Sequence, residues 1–114
     1  MTELMEKTCK PCEGGVAPLT REEAEKMLSD VIGWELNDTT TEIKRVFEFK
    51  NYYRTIAFVN AIAWTAHKEN HHPDLEVSYN RCVVRYMTHA ISGLSENDFI
   101  CAAKVDSIYK QGPA

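Results

Sequence analysis

The chain has 114 residues, the length of a single domain, and its 44% hydrophobic and 26% charged residues are typical of globular proteins. Gly and Pro together are too few for a low-complexity or collagen-like chain. The 13 Lys and Arg residues are outnumbered by 17 Asp and Glu, which gives a net charge of −4. Non-specific binding to nucleic acid depends on a positive surface, so this charge argues against it.

No segment of the sequence is expected to cross a membrane or to direct export. The longest uncharged stretch in the body of the chain, residues 55–67, is shorter than the ~20 apolar residues that a bilayer span requires. The N-terminus carries Glu3 and Glu6 and lacks the apolar core of a secretory signal. We therefore expect a cytoplasmic location, in which the four cysteines stay reduced rather than form a disulfide framework.

The first 19 residues are predicted to form a flexible tail ahead of a folded domain over residues 20–114. Cys9 and Cys12 have the C-x-x-C spacing of half a zinc site. No second C-x-x-C and no H-x₃₋₅-H pair follows at the spacing of a zinc finger, so an inert tail is favoured over a structural zinc site. Cys82 and Cys101 fall on apolar faces and are expected in the core.

The domain is predicted to open with a short helix and a hairpin. The sequence at residues 20–23 is a capping box, which starts a helix that ends near Ser29. Residues 34–36 and 41–49 alternate apolar and polar side chains, as expected for two paired strands. Arg45 interrupts the apolar face of the second strand.

A long helix, a second hairpin and a last helix follow. The long helix begins at the capping residue Asn51 and must end at or before His71, because Pro73 cannot lie within a helix. The predicted elements of this half are a helix over residues 51–70, strands over 75–79 and 82–89 that are joined by a two-residue loop at Asn80-Arg81, and a helix over 95–109.

The element order α-β-β-α-β-β-α lacks the regular alternation of a parallel sheet and predicts an α+β domain. We expect a four-stranded antiparallel sheet with the helices packed on one face. The other face is then left for solvent or for a second copy of the chain.

Three of the four histidines, His67, His71 and His72, fall where the long helix is predicted to end. The fourth, His89, ends the strand that the second hairpin folds back towards this point. With a loop at Asn80-Arg81, residues pair across the hairpin when their numbers add up to about 161, so that His89 lies opposite His72. The hairpin therefore predicts that His71, His72 and His89 converge.

Such a cluster has three interpretations. Two imidazoles that face one substrate can act as acid and base, because histidine titrates near neutral pH. Histidines at a helix C-terminus can instead serve only to complement the helix dipole, although three that converge at one helix break favour a function. A metal site is the third, because His67 and His71 have the i, i+4 spacing seen in zinc enzymes. Glu69, however, does not stand where the H-E-x-x-H motif requires its glutamate.

Signatures of other chemistry are missing from the sequence. The serines lie in no G-x-S-x-G elbow, which argues against nucleophilic catalysis of the hydrolase type. No Gly-rich loop lies between a predicted strand and a helix, so nucleotide binding has no support.

Around His71-His72-Pro73 the sequence resembles the pterin-4a-carbinolamine dehydratase family. That family has a polar residue four positions before the His-His-Pro tripeptide, an aromatic residue after it, then a histidine and an aspartate. The corresponding residues here are His67, His71, His72, Pro73, Tyr79, His89 and Asp98. The resemblance extends to Thr88 and to the stretch from Gly93 to Asp98, and covers roughly residues 20–110 with the same order of elements.

The resemblance implies loss of water from a 4a-hydroxytetrahydropterin, the product of aromatic amino-acid hydroxylases, to give quinonoid dihydropterin without a metal or cofactor. It implies that His71 and His89 act as the acid and base pair and that His72 binds and orients the pterin ring. The residues that complete the implied substrate-binding set are Pro73, Tyr79, Thr88 and Asp98.

The resemblance also implies a homodimer or homotetramer, a functional link to an aromatic amino-acid hydroxylase, and in some members a second role as dimerisation partner of a homeodomain transcription factor. A module that only binds proteins and a metal-dependent hydrolase using His67, His71 and His89 are the alternative functions. Two positions depart from the family pattern. His67 stands where a carboxylate is frequent, and Asn97 stands where a basic residue is frequent.

Overall fold

The structure, a computed structural model, describes residues 3–10 and 17–112. The elements within these residues are, in chain order, α1 (Glu3–Glu6), α2 (Arg21–Leu28), β1 (Glu35–Leu36), β2 (Ile43–Glu48), α3 (Tyr52–Glu69), β3 (Asp74–Val77), β4 (Arg81–Tyr86), a 3₁₀ turn (His89–Ile91) and α4 (Glu96–Gln111). Apart from α1 and the 3₁₀ turn, this is the predicted order. No helix in this part of the chain combines the length and apolarity that spanning a bilayer requires.

The four strands form one antiparallel sheet in the order β1-β2-β4-β3. Alternate residues of the two central strands point towards the helices and are fully buried: Ile43, Phe47, Cys82, Val84 and Tyr86. On the opposite face Arg85 forms ion pairs with Glu42 and Glu76. The helices therefore cover one face of the sheet, which confirms the predicted α+β architecture.

Side-chain caps set the beginnings of the helices as predicted. The Thr20 hydroxyl accepts the backbone N–H of Glu23, whose carboxylate accepts the N–H of Thr20. The side chain of Asn51 accepts the N–H of Arg54 at the start of α3, at 3.0 Å. These bonds satisfy N–H groups that have no partner within the helix.

Arg45, which breaks the apolar pattern of β2, lies on the covered face of the sheet. Its guanidinium donates to the carboxylate of Asp106 on α4 at 2.8 Å and lies 4.5 Å from the centroid of the Phe47 ring. The indole N–H of Trp34 donates to the same carboxylate oxygen, at 2.9 Å. A charged residue is thus accommodated here because a partly buried carboxylate on α4 neutralises it.

The hairpin of β3 and β4 differs from the prediction in its register. Val77 lies opposite Cys82, two residues away from its predicted partner. The loop consists of Tyr79-Asn80, since the N–H of Ser78 donates to the carbonyl of Arg81 at 2.9 Å and closes the turn there. The predicted loop at residues 80 and 81 is therefore wrong.

Strand β4 also ends earlier than predicted, at Tyr86. Beyond it the N–H of Thr88 donates to the carbonyl of Gly93 at 2.8 Å, which closes a small loop around the 3₁₀ turn. His89 is the first residue of that turn. Its predicted position on the strand is wrong, because the chain bends at Thr88 before reaching it.

Residues 3–10 pack against the domain, although we expected ordered structure to begin at Thr20. Leu4 of α1 is 8% exposed and belongs to the hydrophobic core. The ammonium group of Lys104 on α4 donates to the carbonyl of Met5 at 2.8 Å. The expectation is wrong for these residues, because one apolar side chain and several polar contacts hold them on α4.

The chain that leads into α2 is also held in place. The N–H of Leu19 donates to the carbonyl of Leu94 at 2.9 Å. Pro18 lies so close to Gly93 that a Cβ added at the glycine would come within 2.6 Å of the proline Cβ. Cys12, with the rest of residues 11–16, lies outside the described residues.

Candidate active site

The end of α3 gives two successive histidines different surroundings. Asn70 ends the helix in the left-handed conformation, with φ 53° and ψ 43°, a region that Asn enters more readily than most residues. The N–H of His71 still donates to the carbonyl of Ala66, at 3.1 Å. As a result the side chain of His71 is only 11% exposed, whereas His72 lies on the surface.

A buried carboxylate anchors His71. Nε2 of its imidazole lies 2.7 Å from Oδ1 of Asp98, which has no solvent exposure. Oδ2 of Asp98 accepts the hydroxyl of Thr88 at 2.7 Å and the N–H of Ser95 at 3.0 Å. Because an ionised carboxylate only accepts hydrogen bonds, Nε2 of His71 carries the hydrogen and Nδ1 is left able to take a proton.

His72 and His89 form a second, more exposed pair. Their rings are stacked with centroids 6.1 Å apart and an angle of 23° between the planes. The convergence predicted from the hairpin is therefore confirmed, although the register was wrong. His89 was expected to reach the end of α3 as part of a longer strand. It reaches the same place because the 3₁₀ turn bends the chain back.

His71, His72 and His89 line one pocket of about 460 Å³. Its remaining walls come from the end of α3, the chain between β4 and the 3₁₀ turn, the N-terminal segment and the start of α4: Lys68, Glu69, Asn70, Met87, Thr88, Ala90, Cys9, Lys10 and Asn97. A larger cavity of about 650 Å³ lies between the start of α3 and the end of α4 and contains no histidine. The smaller pocket is the candidate site because the titratable rings meet there.

Two further ionisable side chains lie beneath the histidines. The rings of His71 and Tyr86 are stacked, with centroids 5.9 Å apart. Burial raises the pKa of the Tyr86 hydroxyl well above its ordinary 10.0. The contact with the Cys9 thiol, together with burial, raises the pKa of Cys101. Both groups therefore stay protonated near neutral pH.

The structure brings together most of the residues predicted for the site. Thr88 and Asp98 form the network behind His71, and Pro73 lines an adjoining cavity of about 370 Å³. Tyr79 is not among them. It lies exposed in the hairpin loop, where its carbonyl accepts the hydroxyl of Thr55 from the first turn of α3, at the opposite end of that helix from the histidines.

His67 lies outside the histidine pocket. Its ring is close to that of Trp64, with centroids 5.8 Å apart, and it borders only the adjoining cavity. In residues 3–10 and 17–112 no three His, Cys, Asp or Glu side chains are grouped closely enough to hold a metal ion. The alternative in which His67, His71 and His89 bind a metal therefore has no ligand set in this part of the chain.

Several residues of the pocket were not predicted from the sequence. Cys9 and Lys10 reach it because the side-chain amide of Asn97 pairs with the backbone of Lys10. The segment that carries them has no hydrophobic periodicity. A bond between a side-chain amide and a distant backbone leaves no pattern in the sequence, so no signal pointed to this contact.

Comparison with known proteins finds similar sequences over most of the chain. Residues 17–108 match a family described as pterin 4 alpha carbinolamine dehydratase. A protein of Nitrosomonas europaea is 63% identical over 109 residues, which are 95% of each chain. One of Legionella pneumophila is 54% identical over 108 residues, 94% of this chain and 96% of its own. Both bear the provisional name pterin-4-alpha-carbinolamine dehydratase.

Solved structures show the same fold. A transcriptional coactivator/pterin dehydratase from Brucella melitensis superposes with a TM-score of 0.77 at 34% identity, over 80% of this chain and 97% of its own. A pterin dehydratase-like protein identified as a RuBisCO assembly factor in the alpha-carboxysome has a TM-score of 0.60 at 22% identity, over 68% of this chain and 89% of its own. The second likeness concerns the fold alone.

Proposed function

The chain belongs to the pterin 4 alpha carbinolamine dehydratase family, and from this we propose that it removes water from 4a-hydroxytetrahydropterins in its histidine pocket. One observation carries the proposal. A histidine anchored to the buried Asp98 carboxylate lies in the same pocket as two exposed histidines, so that groups able to give and to take a proton surround one space.

The elimination needs only proton transfers. A proton leaves N5 of the pterin, the C4a–O bond breaks as the C4a=N5 double bond forms, and the departing hydroxyl takes up a proton and leaves as water. The product is the quinonoid dihydropterin, and the number of protons on the enzyme is unchanged over the cycle. Two imidazoles in opposite protonation states are sufficient for both transfers.

We assign the acid and base roles to His71 and His89. The Asp98 carboxylate accepts the Nε2 hydrogen of His71 and holds its ring in one orientation, which favours proton transfer at Nδ1. His72, with its ring stacked on that of His89, binds and orients the flat pterin. Thr88 supports Asp98 through its hydroxyl, and Pro73 shapes the rim beside His72.

We place the reaction after aromatic amino-acid hydroxylation in the cytoplasm, where it supports the recycling of tetrahydropterin. The test is an assay of the purified chain with 4a-hydroxytetrahydropterin that a hydroxylase generates in the cuvette. We expect dehydration well above the spontaneous rate, unaffected by a chelator. Activity lost to the chelator supports the metal-dependent alternative, and no acceleration at all refutes the dehydratase.

A second role, in protein binding, is supported by an exposed stripe on α3. Tyr53 is 80% exposed and Trp64 is 64% exposed, and the exposed Ala57 lies between them at helical spacing on the same side of the helix. Large exposed apolar side chains that share one helix face are typical of interfaces. We propose that this stripe joins copies of the chain into a homodimer or homotetramer, and that a further protein would bind through the same surface.

A further inference from the structure

We propose that the N-terminal segment Lys7–Lys10 is a wall of the substrate pocket, and that Lys10 and Lys68 recognise a pterin whose side chain carries an anionic group. This inference rests on the proposed function and names the class of substrate. Its basis is a set of contacts that hold the segment against the end of α3 and the start of α4.

The backbone of the segment is held at both of its last residues. The amide of Asn97 accepts the N–H of Lys10 at 3.0 Å and donates to its carbonyl at 2.6 Å. The N–H of Cys9 donates to the carboxylate of Glu69 at 2.8 Å. The side chain of Glu69 is 8% exposed and Asn97 is 7% exposed, so the bonds form away from water, where an unpaired amide or carboxylate is costly.

The cysteines add a packing contact. Sγ of Cys9 lies 3.5 Å from Sγ of the fully buried Cys101, whose helix also carries Asp98. Cys9 and Lys10 both line the pocket of the three histidines. The segment therefore belongs to the site itself and closes the pocket from the side of α4.

The histidine pocket is lined by more cationic than anionic side chains. Lys10 and Lys68 both line the pocket, and neither ammonium group makes an ion pair or hydrogen bond with any of residues 3–10 and 17–112. The one carboxylate among the lining side chains, that of Glu69, is already bound to Cys9 and lies 3.6 Å from Lys104. Two cations at the mouth of a pocket favour a substrate with negative charge, such as a phosphate ester on the side chain.

Binding measurements test the charge preference directly. By calorimetry, 7,8-dihydroneopterin 3′-monophosphate should bind the wild-type chain more tightly than 7,8-dihydroneopterin, by a factor of roughly 10 to 100, as expected for hydrogen bonds to a charged group. In Lys10→Met most of this preference should be lost. Lys26→Met, which removes a cation from the exposed end of α2, is the matched control and should keep it. Equal affinity of the two ligands for the wild type overturns the inference.

Disulfide trapping tests the position of the segment independently. In a Cys12→Ser background, diamide takes up two hydrogens at its azo bond while the thiols of Cys9 and Cys101 join in one S–S bond. We expect mass spectrometry to find this disulfide, and Cys101→Ser to abolish it. If diamide joins Cys9 to another thiol and not to Cys101, the wall is not docked and the inference is wrong. Failure of the proposed function is recognised separately, since it would show as the absence of dehydration of an uncharged carbinolamine by the wild type.

Discussion

Nε2 of His71 lies 2.7 Å from Oδ1 of Asp98, and this carboxylate is completely shielded from solvent. In Asp98→Asn the amide nitrogen can donate to Nε2, which forces the hydrogen of the imidazole onto Nδ1 and removes the proton acceptor. We expect kcat to fall towards the loss of about 10²–10⁴-fold that removing a positioned acid or base produces. The pH profile of kcat should also change, which a merely structural effect would not produce.

The control for this variant is Asp106→Asn, at a partly buried aspartate outside the pocket whose carboxylate also accepts side-chain hydrogen bonds. It should leave kcat close to that of the wild type, measured at a temperature where both variants are folded by circular dichroism. An Asp98→Asn enzyme with wild-type turnover would remove Asp98 from the mechanism.

Variants of the stacked residues His72 and His89 should affect different kinetic constants. We expect His89→Ala to lower kcat by about 10²–10⁴-fold, as for a positioned acid or base, and His72→Ala mainly to raise KM. Steady-state kinetics with enzymatically generated carbinolamine provide both constants. His67→Ala, outside the pocket, serves as control, and a large loss of kcat there would favour the metal-dependent alternative instead.

The stripe on α3 predicts the oligomeric state. Trp64→Glu introduces a charge into the proposed interface, where burying it without a partner is unfavourable. We expect light scattering to give a dimer or tetramer for the wild type and a smaller species for the variant. Ile32→Glu changes an even more exposed apolar residue away from α3 and should leave the mass unchanged. A monomeric wild-type chain contradicts the prediction.

Asp106 should make the folded chain less stable as pH rises, the opposite of an aspartate whose pKa is lowered by an ion pair. Burial raises its pKa above the ordinary 3.8, although the bonds from Trp34 and Arg45 oppose this shift. The folded chain thus binds this proton more tightly than the unfolded chain, so the stabilisation is present below pH 3.8 and is lost as pH rises through the folded pKa.

Urea unfolding from pH 3.5 upwards measures this effect. Asp106→Asn cannot titrate, so the free energy of unfolding of the wild type relative to the variant should fall as pH rises above about 4 and then level off. A difference that grows with pH over this window would show that the Arg45 and Trp34 contacts prevail over burial.

The sequence predicted the fold and the histidine cluster because both depend on strong local signals. Alternating side chains and caps defined the elements, and Pro73 marked the end of α3 beside two histidines. The register of the second hairpin was missed because Tyr79-Asn80 and Asn80-Arg81 are both acceptable two-residue loops by composition. The choice between them is made by the bond from Ser78 to Arg81 and by the N–H of Phe49, which donates to the carbonyl of Asn80.

The N-terminal segment was missed for a different reason. Its attachment depends on partners nearly a full chain length away in sequence, in particular Asn97 and Lys104. Asn97 precedes Asp98, which was a predicted site residue. An asparagine in the sequence does not show whether its amide contacts water, a substrate or the backbone of another segment. Tertiary contacts of this kind require coordinates, since neither periodicity nor spacing encodes them.

The left-handed residue at the end of α3 makes the site depend on a dihedral angle. Asn70 adopts φ 53°. This left-handed conformation costs most residues other than Gly, Asn and Asp roughly 1–2 kcal/mol. Gly at this position would keep the bend, whereas Val or Ile would strain it and shift His71 away from Asp98. A substitution at residue 70 could therefore abolish activity by changing the backbone conformation, although all the acid and base side chains remain in the sequence. Surveys of natural variants that score only chemical groups would pass over it.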